Sequence, residues 1–220
     1  PGSGAHAPGA KVERCFQYGL ETLEEPFDYI GKFDADILLP EDYFEKVLQA
    51  FAEDSSLGMC SGLLFVGSGD RWVYEPIADT SHVRGPVKCY RSECFKAIGG
   101  LRESIGWDTA DTLLARYHGF GVKTLPELRV KHLRPTARAY GAQNHQKQGE
   151  ALYLLRYGCI LGTLASLKMA WKRRSLTAPS EHLRGALHAR KTGKARLLNP
   201  KEGRFARKWR WRQIFRKLRG

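Results

Sequence analysis

Two aspartates one residue apart, Asp34 and Asp36 in KFDADILLP (32–40), stand at the end of an apolar run. In a strand, side chains i and i+2 project to the same side, so a D-x-D at a strand's C-terminal end aims two carboxylates at one point. In open α/β sheets that end is where ligands bind. Two unneutralised carboxylates at one point repel each other and ask for a cation. Hard oxygen ligands with phosphates nearby suit Mg2+ or Mn2+. The same pair also fits a solvated turn between a strand and a helix, with Asp36 as a remote cap.

The elements that must position these carboxylates follow from periodicity. KVERCFQYGLETLEE (11–25) has a helical apolar stripe in Val12, Cys15, Phe16, Tyr18 and Leu20. FDYIGKFD (27–34) alternates and predicts a strand. PEDYFEKVLQAFAED (40–54) predicts a helix, with Pro40 at its start and Glu41 and Asp42 in its first turn. LGMCSGLLFV (57–66) predicts a buried strand and PVKCYR (86–91) another. SECFKAIG (92–99) predicts a short helix closed by Gly99-Gly100. Residues 108–121 form a helix ended by glycine, and 122–135 one or two strands stopped by Pro135. Strands alternating with helices make an α/β domain.

The 220 residues are 42% hydrophobic and 11% aromatic, enough for a real core. Five cysteines, none in CxxC spacing, argue against a zinc site or a disulfide framework and for a reduced, cytosolic compartment. PGSGAHAPGA (1–10) is small and polar, a linker or an expression remnant with no signal-peptide pattern. The net charge of +13 is unevenly placed. Residues 171–220 hold 17 Lys/Arg against 2 Asp/Glu, whereas 1–170 hold 19 against 21. From about 150 the texture of the sequence changes as well, and the chain divides at 149/150. Residues 150–171 read as an apolar helix, packed or lying on a membrane surface, too interrupted to span one. Residues 172–203 are basic and rich in Gly and Pro, hence partly disordered. FARKWRWRQIFRKLRG (205–220) has the composition of an interfacial amphipathic helix.

Three blocks in order carry a family resemblance. YIGKFDADILLPEDYFEKVLQAF, GPVKCYRSECFKAIGGLRES and GWDTADTLLARYHGFGVKTLPELRVKHLRP resemble the central, acceptor-side and catalytic segments of family-two glycosyltransferases of the GT-A fold. The resemblance covers roughly residues 11–140. It implies a partial GT-A-like mixed sheet flanked by helices over 1–149, followed by a basic, helical or partly disordered tail. It implies that Asp34 and Asp36 hold Mg2+ or Mn2+ and the donor diphosphate, with His132 reaching the same metal. Asp108 or Asp111 is then the general base, and Asp108 is preferred because it starts a helix. The family's Glu-Asp signature is here Trp107-Asp108, without the Glu. Lys32, Tyr90, Arg91, Gly99, Gly100 and Trp107 fall on substrate-binding positions. The implied reaction is inverting transfer of a sugar from a nucleotide-diphosphate-sugar to a hydroxyl acceptor, a glycan or glycolipid, in cell-surface polysaccharide or glycolipid synthesis.

Members of that family begin with a nucleotide-binding half of about ninety residues, by the resemblance, that these blocks do not include. The basic tail asks for a polyanion: an anionic membrane surface through 205–220, or nucleic acid through Trp stacking and phosphate contacts. The membrane reading places the protein in the cytoplasm, peripheral at the inner face. The alternative is a catalytically incomplete membrane- or nucleic-acid-binding module on a degenerate glycosyltransferase scaffold. No GxGxxG or GxxxxGK[ST] supports a dinucleotide or P-loop reading.

Overall fold

The computed structural model describes residues 10–77, 80, 82–134 and 143–219. The fold divides into two compact units. One comprises Pro1–Arg14, Arg102–Ala110 and Tyr140–Gly220, and the other Cys15–Leu101 and Asp111–Ala139.

The second unit is a mixed α/β sheet with helices. Its strands are β1 (Tyr29–Phe33), β2 (Ile37–Leu38), β3 (Leu57–Ser68), β4 (Arg71–Tyr74), β5 (Val87–Arg91) and β6 (Gly121–His132). The order is β1-β5-β3-β6-β2, with β4 paired to β3 as a hairpin. β5 runs antiparallel to both β1 and β3, and β3 is parallel to β6. The C-terminal ends of β1, β3 and β6 therefore share one edge. Helix α2 (Tyr43–Glu53) covers one face and packs Tyr43, Val47 and Phe51 against Cys60, Leu64, Val87 and Val130. Each such large side chain removed from water contributes about 1.5–3 kcal/mol.

The sheet cannot be flat. β1 and β2 end the strand path on opposite sides, four strand spacings apart, or about 19 Å in a flat sheet. Only Asp34, Ala35 and Asp36 join them, and Phe33 to Ile37 reaches at most about 14 Å. The sheet must curl so that its two ends meet, and the D-x-D is the joint.

The remaining helices are α1 (Ala10–Glu21), α3 (Ser92–Ala97), α4 (Trp107–Tyr117), α5 (Gln143–Leu154), α6 (Gly158–Arg173), α7 (Ala178–Lys191) and α8 (Pro200–Arg219). α5 to α8 build the first unit. α5 and α7 approach backbone to backbone: a Cβ on Gly149 would overlap the His182 carbonyl, and one on Gly185 the Gln146 carbonyl. Among the described residues, no helix is long and apolar enough to cross a membrane.

Three sequence expectations change here. The single apolar helix over 150–171 is two helices, broken where Arg156 (φ 55°) and Gly158 (φ 73°) turn left-handed. Residues 172–203 are largely ordered, because α7 occupies 178–191. The final helix starts at Pro200, not 205. Asn199 Oδ1 accepts from the Lys201 and Glu202 backbone N–H groups while Glu202 accepts from the Asn199 N–H, a reciprocal cap. α8 is tied down by Arg207 donating to the Arg156 carbonyl at 2.7 Å and Arg210 donating to Tyr157 Oη at 2.8 Å.

Candidate metal centre

β1 hands directly into the site. The Asp34 N–H donates to the Pro86 carbonyl at 2.9 Å, continuing the β1–β5 ladder one step past Phe33. The chain then turns through Ala35 and Asp36 into β2, where Ile37 pairs with His132. The Asp36 carbonyl accepts from the Leu133 N–H at 2.9 Å, so the turn is fastened to the end of β6.

These constraints bring Asp34, Asp36 and His132 together: one ligand atom from each lies within 4.8 Å of the others. The two carboxylates do not converge by strand alternation, as the sequence predicts. Both lie beyond the end of β1, and the turn gathers them. His132 is buried while Asp34 and Asp36 are half-buried, so the cluster has a closed back and an open front.

The polar atoms behind the cluster are arranged asymmetrically. His132 Nε2 faces Asp36 Oδ1 at 3.6 Å, and its Nδ1 faces Glu75 Oε2 at 3.7 Å. His132 Nδ1 is buried and makes no hydrogen bond in this arrangement. Glu75 is itself buried and accepts from Arg84 at 2.6 Å. A carboxylate behind an imidazole whose other nitrogen faces two more carboxylates is the arrangement that orients a histidine toward a metal. Two carboxylates and an imidazole fit a divalent cation, and the nitrogen donor favours Mn2+ over Mg2+, which keeps to oxygen. Sequence reading misses Glu75 and Arg84. Glu75 directly follows β4 and Arg84 lies just before β5, and no period or spacing marks either.

Lys32 is buried beneath the cluster. Its ammonium donates to Asp34 Oδ1 and, at 3.0 Å, to the Gly85 carbonyl. It is a fixed cation for Asp34, held on the protein.

The other predicted site residues divide. Asp111 is buried and fully engaged. Its oxygens accept from Lys88 Nζ at 2.8 and 2.7 Å, Tyr90 Oη at 2.6 Å and the Thr112 N–H at 2.6 Å. A general base needs a lone pair within reach of its substrate. Asp111 has none to spare, and Tyr90 is committed with it. Arg91 is also spoken for. It sits at the opposite end of β5 from Asp34, opposite Tyr29, and donates to the Phe51 carbonyl in the last turn of α2 (2.6 Å) and to the Leu57 carbonyl at the start of β3 (3.1 Å). Gly99 and Gly100 both have positive φ (77° and 71°) and close α3 as a turn. Trp107 and Asp108 open α4 after Gly106 (φ 87°), and Asp108 is half-buried in the first turn. They belong to the first unit and the metal cluster to the second.

No known family's sequence profile matches the chain, and no curated protein matches it. Among solved structures, it is similar to a mannosyltransferase from Pyrobaculum calidifontis in complex with GDP-Man and Mn2+, with a TM-score of 0.47 and 14% identity. That match covers 93% of this chain and 64% of the other, so the chain spans somewhat less than two thirds of that protein's length.

Proposed function

We propose that the chain carries the metal and acceptor side of a GT-A-type glycosyltransferase acting by inversion on a nucleotide-diphosphate-sugar. The observation that supports this reading most is the meeting of Asp34, Asp36 and His132 at one joint of the sheet. A bound Mn2+ or Mg2+ would neutralise the charge that develops on a leaving diphosphate. Asp34 and Asp36 offer the oxygen ligands and His132 the nitrogen. Lys32 holds Asp34 in place, and Glu75, braced by Arg84, orients His132. By the family resemblance Asp108 would be the base, taking the proton of the acceptor hydroxyl as that oxygen bonds to the sugar carbon and the bond to the diphosphate breaks. Gly99 and Gly100 shape the acceptor side.

Mn2+ titration followed by electron paramagnetic resonance, with and without a nucleoside diphosphate, tests the assignment. Asp36→Ala and His132→Ala should each weaken Mn2+ binding by at least about tenfold. Asp108→Asn should leave Mn2+ binding intact and abolish transfer to an acceptor. Unchanged Mn2+ affinity in Asp36→Ala would sink the metal assignment.

A further inference from the structure

The outward face of α6 is chemically inverted for a helix exposed to water. At 100° per residue, Ile160, Leu164, Leu167 and Trp171 fall within an arc of about 60°. All four are exposed, Ile160 at 72% and Trp171 at 86%. The opposite side, with Leu161, Ser166 and Ala170, is the buried one. A helix apolar on its buried face needs polar residues outside, and this one has aliphatic and aromatic residues on both sides. The stripe continues past the helix. Leu176, in the connection to α7, is 100% exposed, and Leu183 and Leu187 of α7 are exposed as well.

The surface is not flat. A groove of about 690 Å3 runs between α6 and α7, with Leu167, Leu183 and Leu187 among its walls and Arg190 and Arg196 contributing to its lining. Its floor is satisfied: Ser166 Oγ and His182 Nδ1 share a hydrogen bond of 2.7 Å, and His182 Nε2 meets Gln148 Oε1 at 3.1 Å. All the charges lining the groove are positive. Lys168 and Lys172 stand on α6, which carries no acidic residue, and both are exposed. The Glu181 of α7 is already paired with Arg184 at 2.6 Å.

We infer that this α6–α7 face docks onto an anionic phospholipid bilayer. The exposed apolar stripe, Trp171 and Leu176 enter the interface, and the surrounding Lys and Arg meet lipid phosphates. A second copy of the chain is disfavoured as occupant, because two such faces would bring like charges together. The inference relocates the contact that composition assigns to 205–220. The first half of α8 is packed and capped, and Trp209 and Trp211 are half-buried. It rests on the first unit alone and is independent of the metal cluster.

Co-sedimentation of the whole chain with phosphatidylcholine vesicles, with and without phosphatidylglycerol, tests it. Binding should require the anionic lipid and weaken with salt. Leu176→Asp should reduce it at least tenfold; Leu176 lies outside any helix and is fully exposed, so the change does not disturb the fold. Ile160→Asp, checked for folding by circular dichroism, should do the same. The tail variant Arg212→Gln/Arg216→Gln/Arg219→Gln should change binding less than either. Failure of the parent to bind anionic vesicles overturns the inference. So does equal binding to neutral vesicles, or loss of binding in the tail variant with Leu176→Asp unaffected. A dimer that Leu176→Asp dissolves would overturn it too, by assigning the face to self-association.

Discussion

Replacing Asp111 by Asn tests whether this buried aspartate serves the fold or the proposed chemistry. Lys88 is fully buried, and Asp111 supplies its carboxylate, with both oxygens on the ammonium at 2.8 and 2.7 Å. Asn keeps the shape and removes the carboxylate charge that meets the buried Lys88 ammonium in two hydrogen bonds. Breaking a buried pair from one side costs about 3–5 kcal/mol. At about 2–4 °C per kcal/mol for a chain of this size, melting should fall by on the order of 10 °C. Lys88→Met/Asp111→Leu removes both charges and should return most of that loss, short of about 1–3 kcal/mol for the Tyr90 hydroxyl left without its acceptor. Thermal melts followed by circular dichroism read both steps. A parent-like melt for Asp111→Asn would refute the reasoning. The double variant also decides the chemistry: if stability returns and sugar transfer does not, Asp111 acts on substrate after all.

Four further outcomes are expected. Glu75→Gln should weaken Mn2+ binding by roughly 10–100-fold although Glu75 itself is not a ligand; parent-like Mn2+ affinity would remove its orienting role. Burial pushes the thiols of Cys60, Cys89 and Cys94 up to about 12, whereas Cys15 and Cys159 are exposed, so a thiol reagent near neutral pH should label two cysteines in the folded chain and five after denaturation. The same shift has a stability consequence: above the ordinary thiol value of 9.0 the unfolded chain releases protons that the folded one keeps, so stability should fall as pH rises past about 9, seen as alkaline loss of melting temperature. Gly149→Ala should cost about 1–3 kcal/mol by forcing α5 off α7, and a melt unchanged from the parent would refute the backbone-to-backbone contact of the two helices.

The second unit was largely legible because its strands and helices carry their own periods. The strand at 27–34, the helix at 40–54 and the strand at 86–91 appear within a few residues as β1, α2 and β5. β4 was missed: RWVY is short and follows Gly69, whose φ of 59° makes the hairpin turn, a signal readable as Gly-Asp but outweighed by the polar run around it. Asp34 and Asp36 were visible as a pair, but their convergence was assigned to strand alternation when a turn produces it. Asp111 was not separable from Asp108, because only the fold shows that Lys88 and Tyr90 project from β5 onto it. In the first unit, Asn199-Pro200-x-x-Gly hid a readable cap behind the basic composition of its surroundings. The α5–α6 break was unreadable for another reason: Arg156 adopts positive φ, which sequence assigns to Gly.

The position of the aspartates follows from the geometry of the joint. A sheet whose end strands are linked by three residues must curl toward that link, and whatever stands there lies beside the ends of β1 and β6. Apolar residues in the link would merely extend the core. Carboxylates there repel, and the link's surroundings give each a polar neighbour: the Lys32 ammonium from β1 for Asp34, and the imidazole of His132 from β6 beside Asp36. These two partners differ in kind. Lys32 is buried and donates to both Asp34 Oδ1 and the Gly85 carbonyl, so it holds Asp34 in place. His132 has a second nitrogen backed by Glu75, which leaves Nε2 available to an incoming cation alongside Asp36. One aspartate is thus anchored and the other stands beside a group able to serve as a ligand, so the turn that links β1 to β2 also gathers the candidate metal cluster of Asp34, Asp36 and His132.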